Sequence, residues 1–151
     1  MKPIPHLTLL CADDDPGDRL LLQDALDESH LGSGLRCVSD GEELMDYLLR
    51  QGAYADPLSS PRPQLLLLDL TVPRIDGRDA IARIRTEPSL HRLPVVVLTA
   101  SDAREDVENA YALGANSYIV KPVSFDGLVR LLAELGRYWL DAVELSPALV
   151  P

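Results

Sequence analysis

Four short runs rich in leucine, valine and isoleucine recur along the chain, at residues 6–12, 64–69, 94–99 and 117–120. Continuous apolar runs of this length are typical of buried parallel strands. A weaker run at residues 35–39 lies between the first two, and a segment with helical spacing follows each of the five. The pattern predicts an α/β fold of five βα units. We expect a three-layer, doubly wound, flavodoxin-like arrangement with a parallel sheet of strand order 2-1-3-4-5.

The length of 151 residues favours one domain. We place it at residues 1–144, with a short tail at residues 145–151. No apolar run approaches the roughly 20 residues that span a bilayer, and no secretory signal is visible, so a cytoplasmic location is expected. The formal net charge of -10 opposes binding to nucleic acid or anionic lipid, since both normally need clustered Lys and Arg.

The two cysteines, Cys11 and Cys37, lie in separate apolar segments. A single disulfide would be unusual in an intracellular domain of this size. We therefore interpret both as reduced thiols in the core.

Polar residues mark where helices begin and where a long loop intervenes. The expected capping residues of the first, second, fourth and fifth helices are Asp15, Asp40, Ser101 and Ser124. Residues 50–63 are rich in Gly, Pro, Ser and Asp, which indicates a loop within the domain.

The last helical segment is more apolar than packing against one sheet requires. Apolar residues recur at positions 125, 128, 132, 135, 139 and 142, and others widen that face. One interpretation is a helix that packs only on the core and ends near Gly136. The other, which we prefer, is an extended helix that buries Tyr138, Trp139 and Leu140 against a second subunit.

Polar residues stand at the carboxyl ends of four predicted strands. They are Asp13 and Asp14 on the first, Asp69 on the third, Thr99 on the fourth and Lys121 on the fifth. Parallel α/β sheets place their sites at this edge. In the order 2-1-3-4-5 the first and third strands are neighbours, so the three carboxylates should meet at the topological switch point.

Carboxylates this close need a compensating charge. Each pair repels by about 4 kcal/mol at about 4 Å with an effective dielectric constant of about 20. Lys121 can offset one charge, and a hard divalent cation can offset more. An oxygen-only site with room for water suits Mg²⁺, with Mn²⁺ as a substitute, and argues against zinc.

The same residues suit phosphoryl transfer. A bound metal neutralises charge on the transferred group and orients the donor phosphate. Carboxylates can act as nucleophiles that form aspartyl phosphates, and Asp69 is central, whereas Asp13 and Asp14 serve better as metal ligands. Thr99 and Lys121 then become donors to the bound phosphoryl oxygens.

These residues resemble the response-regulator receiver domains of the CheY-like type. The matching segments are LLCADDDP at 9–16, LDLTVP at 68–73, VLTA at 97–100 and YIVKP at 118–122. The resemblance covers about residues 7–140. It implies a two-component phosphoprotein that takes a phosphoryl group from a histidine kinase. Such a protein is not an enzyme with a separate substrate, although it assists its own phosphorylation and dephosphorylation.

The resemblance implies a role for each matching residue at the metal. Asp69 is the phosphoacceptor, Asp14 the direct metal ligand, and Asp13 a ligand that acts mostly through water. The backbone carbonyl of Thr71 completes the protein's metal contacts.

Further roles follow for the switch. Thr99 and Lys121 match the pair that engages the phosphoryl group, and Tyr118 matches the aromatic residue that changes rotamer with the threonine. The change alters the face formed by the fourth helix, fifth strand and fifth helix, where partners commonly bind. The Lys121–Pro122 bond matches the family's cis peptide.

A narrower resemblance rests on DPGDRL at 15–20, VSDGEEL at 38–44 and AYALGANSYIVKPVSF at 110–125. Together with the loop at 50–63 and the aromatic C-terminal helix, these segments are similar to single-domain response regulators that partner phytochrome-type histidine kinases. Such relatives tend to form homodimers through the C-terminal region.

Three alternatives are weaker. A haloacid-dehalogenase-like phosphohydrolase needs an Asp two residues after its nucleophile, where this chain has Thr71. A pseudo-receiver, an interaction module that is not phosphorylated, normally lacks some of Asp14, Asp69, Thr99 and Lys121, and all four are present. A flavin- or nucleotide-binding protein would need a glycine-rich phosphate loop after the first strand.

Overall fold

Five parallel strands form one sheet of order 2-1-3-4-5, numbered along the chain, as predicted. The structure is a computed structural model that describes residues 8–29, 34–142 and 144. The strands are β1 (Thr8–Ala12), β2 (Gly34–Val38), β3 (Leu65–Leu68), β4 (Val95–Thr99) and β5 (Ser117–Val120). The predicted first two residues of the first strand, 6 and 7, lie outside the described residues.

A helix follows each strand, so all five predicted βα units are present. The helices are α1 (Pro16–Glu28), α2 (Gly41–Leu49), α3 (Gly77–Thr86), α4 (Arg104–Leu113) and α5 (Phe125–Gly136). The predicted loop at 50–63 contains one 3₁₀ turn, Gly52–Tyr54. Within the described ranges, no helix is long and apolar enough to cross a membrane.

The central strands divide their side chains between two cores, because successive residues of a strand point to opposite faces. In β3, Leu66 and Leu68 pack with α2, α3 and α4, whereas Leu65 and Leu67 pack with α1 and α5. All four leucines are at most 1% exposed, and burying each contributes about 1.5–3 kcal/mol. This burial fixes β3 at the centre of the sheet, and the next residue emerges at the carboxyl edge.

Three of the four predicted caps are confirmed. The side chains of Asp15, Asp40 and Ser124 each accept a backbone N–H from the first helical turn, at 2.8, 2.7 and 3.0 Å. The prediction for Ser101 is wrong, because α4 begins after Ala103, which makes no side-chain capping bond. Ser101 lies two residues too early to cap the helix, and it donates a hydrogen bond to a carboxylate of the first turn instead.

Helix α5 ends at Gly136, and the chain continues through a π-helical segment, Arg137–Ala142. Trp139 packs partly against the core beneath α1 and α5, whereas Tyr138 is 55% exposed. Their rings meet edge to face at 5.2 Å between centroids. The side chain of Leu140 and the predicted tail at 145–151 lie outside the described residues. Burial of this segment against a second subunit stays a prediction.

The interpretation of both cysteines as core thiols is wrong for one of them. Both are free, but only Cys11 is buried, and Cys37 is exposed. Cys37 lies on β2, an edge strand with a neighbour on one side only, so its apolar sequence does not ensure burial.

Candidate functional site

The carboxyl ends of β1, β3, β4 and β5 converge on one site, as predicted. Ala12 pairs with Leu68 in the register of β1 and β3, so Asp13 and Asp69, the next residue of each strand, emerge side by side. Both carboxylates are almost fully buried, as is Thr99 at the end of β4. Buried charges are costly unless they are paired and hydrogen-bonded.

Lys121 supplies the compensating charge from the end of β5. Its Nζ donates hydrogen bonds to Asp13 Oδ2 at 2.7 Å, Asp69 Oδ2 at 2.8 Å and Asp18 Oδ2 at 3.0 Å. Burial disfavours the ammonium, but these three bonds outweigh it and raise the pKa of Lys121. The lysine therefore stays charged at neutral pH. Three carboxylates around one ammonium leave the site with excess negative charge.

The second oxygen of Asp69 is held by two threonines. Asp69 Oδ1 accepts hydrogen bonds from the Thr71 backbone N–H at 3.0 Å, the Thr71 hydroxyl at 2.9 Å and the Thr99 hydroxyl at 2.9 Å. Burial opposes ionisation of this carboxyl, but the hydrogen bonds from Lys121 and Thr71 outweigh it and lower the pKa of Asp69. Asp69 is thus an oriented, ionised carboxylate at neutral pH.

Asp14 departs from the expected ligand arrangement. It is exposed, whereas Asp13 and Asp69 both contact Lys121. Across the described residues, no three His, Cys, Asp or Glu side chains converge with the geometry of a metal site. The donor chemistry nevertheless fits a hard cation, because the donors are oxygens and the site has excess negative charge.

Tyr118 is tied to the loop that follows Thr99. Its hydroxyl donates to the Ser101 backbone carbonyl at 2.8 Å. The Ser101 hydroxyl donates to Asp106 at 2.6 Å, and Arg78 holds the other oxygen of that carboxylate at 2.7 Å. The predicted switch residue is therefore linked to the start of α4 and, through Arg78, to α3.

The Lys121–Pro122 peptide bond is trans, since no cis peptide bond occurs in the part of the chain that the structure describes. The expectation of a cis peptide is therefore wrong. Trans is the intrinsically favoured isomer of an X–Pro bond, by about 0.5–1 kcal/mol.

Asp18 is the site residue that sequence reasoning missed. In the sequence it is indistinguishable from any acidic residue in the first turn of a helix. In the structure its Oδ2 lies 3.0 Å from Lys121 Nζ. The available signal was the short interval between β1 and α1, which begins at Pro16. A first turn this close to the strand end lies over the carboxyl edge of the sheet.

The family model for the response regulator receiver domain matches residues 9–133. The response regulator Rcp1 of Synechocystis is 38% identical over 144 residues, which are 95% of this chain and 96% of Rcp1. Its Mn²⁺-bound crystal structure has a TM-score of 0.81 at 37% identity, covering 93% of this chain and 99% of that chain.

Two further crystal structures are similar over nearly the whole chain. A response regulator in red light signaling of R. palustris has a TM-score of 0.89 at 33% identity, covering 93% of this chain and 98% of that one. The phosphorylated cyanobacterial phytochrome response regulator RcpA has a TM-score of 0.85 at 36% identity, with coverage of 93% and 99%.

Proposed function

Because this chain belongs to the response regulator receiver family, we propose that it takes a phosphoryl group on Asp69 from a phytochrome-type sensor histidine kinase. The observation that carries the proposal is the Asp69 carboxylate itself, buried, ionised and held by Lys121, Thr71 and Thr99. Acceptance of a phosphoryl group is the chemistry of the family. The residue roles and the kinase class are the finer steps proposed for this chain.

The transfer forms one bond and breaks one. A carboxylate oxygen of Asp69 attacks the phosphorus of a phosphohistidine, the new P–O bond gives an acyl phosphate, and the P–N electrons return to the histidine of the kinase. The low pKa of Asp69 keeps the nucleophile ionised. Lys121 and Thr99 already bind its two oxygens, so they are placed to donate to the phosphoryl oxygens that follow.

We assign the metal position to Asp13, Asp14, Asp69 and the Thr71 backbone carbonyl, with Mg²⁺ as the ion and Mn²⁺ as a substitute. Such an ion neutralises charge on the transferred group when it is bound. Two observations support this choice: the excess negative charge around Lys121 and the Mn²⁺-bound form of the relative Rcp1. Exposed Asp14 is the member that would have to turn towards the site.

Thr99 and Tyr118 are the proposed switch. A phosphoryl group on Asp69 adds about -1.5 to -2 charges and three strong acceptors, so Thr99 gains a new partner. A shift of Thr99 moves the loop whose Ser101 carbonyl holds the Tyr118 hydroxyl. This shift changes the surface formed by α4, β5 and α5. That surface already carries exposed side chains such as Tyr111, which a partner could contact.

An intact-mass measurement with a small phosphodonor tests phosphorylation. We expect wild type to gain one phosphoryl group with Mg²⁺ and none with a chelator, whereas Asp69→Asn stays unmodified. Asp24→Asn, an exposed carboxylate on α1, is the matched control and should behave as wild type. No modification by any donor or kinase would favour the alternative function, an unphosphorylated pseudo-receiver.

The kinase class is tested by transfer rates. The relative RcpA is a phytochrome response regulator, and the R. palustris relative is a response regulator in red light signaling. On that ground we propose the same class of partner here. A phytochrome-type kinase should transfer its phosphoryl group faster than an unrelated histidine kinase at equal concentration. Equal rates would contradict this assignment.

We also propose a cytoplasmic homodimer, formed through Tyr138, Trp139 and Leu140, that does not bind nucleic acid. Exposed Tyr138 is the sharper test, because Trp139 also packs against its own core. Tyr138→Ala should give monomers in sedimentation, whereas Tyr111→Ala, an exposed tyrosine on α4, should not. An unchanged dimer in Tyr138→Ala would place the interface elsewhere.

A further inference from the structure

The two cysteines lie opposite each other on neighbouring strands. Cys11 of β1 pairs with Cys37 of β2 in the parallel register. Paired residues of parallel strands point to the same face, and neighbouring strands lie about 4.8 Å apart. Disulfides span Cα separations of about 4.4–6.8 Å, so this pair can be bridged without unfolding the sheet.

Both sulfurs are accessible to a small oxidant by different routes. Cys37 is exposed on the edge strand. Cys11 is buried, but it lines a cavity of about 70 Å³ that also reaches Asp69 and Lys121. A cavity of that size admits molecules as small as water, and hydrogen peroxide is only slightly larger.

The two thiols are also chemically different. A hydrogen bond from Cys11, aided by the nearby positive charge of Arg19, lowers the pKa of the Cys37 thiol. The thiolate is the reactive form of cysteine. Exposure and thiolate character therefore both favour Cys37 as the sulfur that is oxidised first. Cys11 lies opposite it and is the thiol placed to attack the oxidised Cys37.

We propose that Cys11 and Cys37 form a peroxide-reactive dithiol that closes to an intramolecular disulfide between β1 and β2. Disulfides that form inside cells are mostly transient or redox-sensing, and we assign this bond to that class. The proposed oxidation uses neither Asp69 nor a metal, although the cavity beside Cys11 also reaches Asp69 and Lys121.

The chemistry balances with hydrogen peroxide as the oxidant. The Cys37 sulfur attacks one peroxide oxygen, the O–O bond breaks, and a sulfenic acid and one water form. The Cys11 sulfur then attacks Cys37, the S–S bond forms, and the hydroxyl leaves as a second water. In total the two thiols lose two protons and two electrons, and the peroxide gains them and is reduced to two waters.

The test uses the full chain, reduced first, freed of reductant and then treated with hydrogen peroxide under native conditions. Intact mass should fall by two hydrogens, and a non-reducing peptide map should link Cys11 to Cys37, with reversal by dithiothreitol. Cys37→Ala should form no sulfenic acid or disulfide. Cys11→Ala should accumulate a sulfenic acid at Cys37 that a dimedone probe traps.

Glu105→Gln is the matched control, because this exposed carboxylate lies on α4, which packs on the opposite face of the sheet from Cys11, and the variant should form the same disulfide as wild type. Wild type that only gains oxygen at Cys37, stays reduced, or forms covalent dimers through Cys37 would overturn the proposal. If a cysteine variant fails to fold, the wild-type peptide map alone decides.

Discussion

Replacing Lys121 with methionine removes the charge that holds two buried carboxylates together. Asp13 Oδ2 and Asp69 Oδ2 lie 2.7 and 2.8 Å from the same nitrogen. They are therefore no more than about 5.5 Å apart, where two charges repel by about 3 kcal/mol at an effective dielectric constant of about 20. We expect Lys121→Met to lower the free energy of unfolding by about 3 kcal/mol, as breaking a buried ion pair does elsewhere.

Urea unfolding at neutral pH in the presence of a chelator measures this loss, with the single tryptophan, Trp139, as the fluorescent probe. Arg104→Met is the matched control, because its ion pair is almost fully exposed and should contribute less than about 1 kcal/mol. Adding Asp69→Asn to Lys121→Met removes one repelling charge and should restore most of the stability. Equal stability of Lys121→Met and wild type, or no restoration in the double variant, would refute the reasoning.

Two further perturbations follow from particular contacts. Gly77→Ala should lower the free energy of unfolding by about 1–3 kcal/mol, because a Cβ there would lie 2.7 Å from the Leu70 Cα. The control is Gly34→Ala, which has open space around it and should lower the free energy of unfolding by less in the same urea experiment. Burial and the hydrogen bond to Glu43 raise the pKa of Tyr54 to about 12. The stability that the neutral Tyr54 side chain contributes is therefore fully present below the unfolded pKa of about 10. It is lost as the pH rises through the pKa of Tyr54 in the folded protein. A spectrophotometric titration, with Tyr54→Phe as control, should show this late step. Equal losses in the glycine variants, or a Tyr54 that ionises with the other tyrosines, would contradict these expectations.

The parts of the fold that the sequence predicts are those where burial leaves no choice. Strands β3 and β4 are covered on both faces, so residues 65–68 and 95–98 form unbroken apolar runs. The residues that end or follow such strands must emerge at the same edge of the sheet, so the sequence alone predicts that Asp69 and Thr99 lie together. Asp15 and Asp40 cap their helices because their side chains compete well for free N–H groups.

The sequence predicts less where rotation or exposure decides the outcome. The contact of Asp18 with Lys121 depends on how the first turn of α1 is rotated over the sheet, and acidic residues are common in any first turn. Ser101 has the chemistry of a cap but lies two residues before the capping position, Ala103. Cys37 shares its strand with Leu35 and Val38, yet it is exposed because β2 is an edge strand.

The central claim is that one carboxylate of this chain becomes an acyl phosphate, and the most direct measurement is to locate that bond. The phosphorylated protein is reduced with borohydride, which converts an acyl phosphate to an alcohol, and its peptides are mapped by mass spectrometry. We predict the alcohol at position 69 and at no other aspartate or glutamate. Modification at Asp13, Asp14 or another carboxylate, with Asp69 intact, would contradict the account.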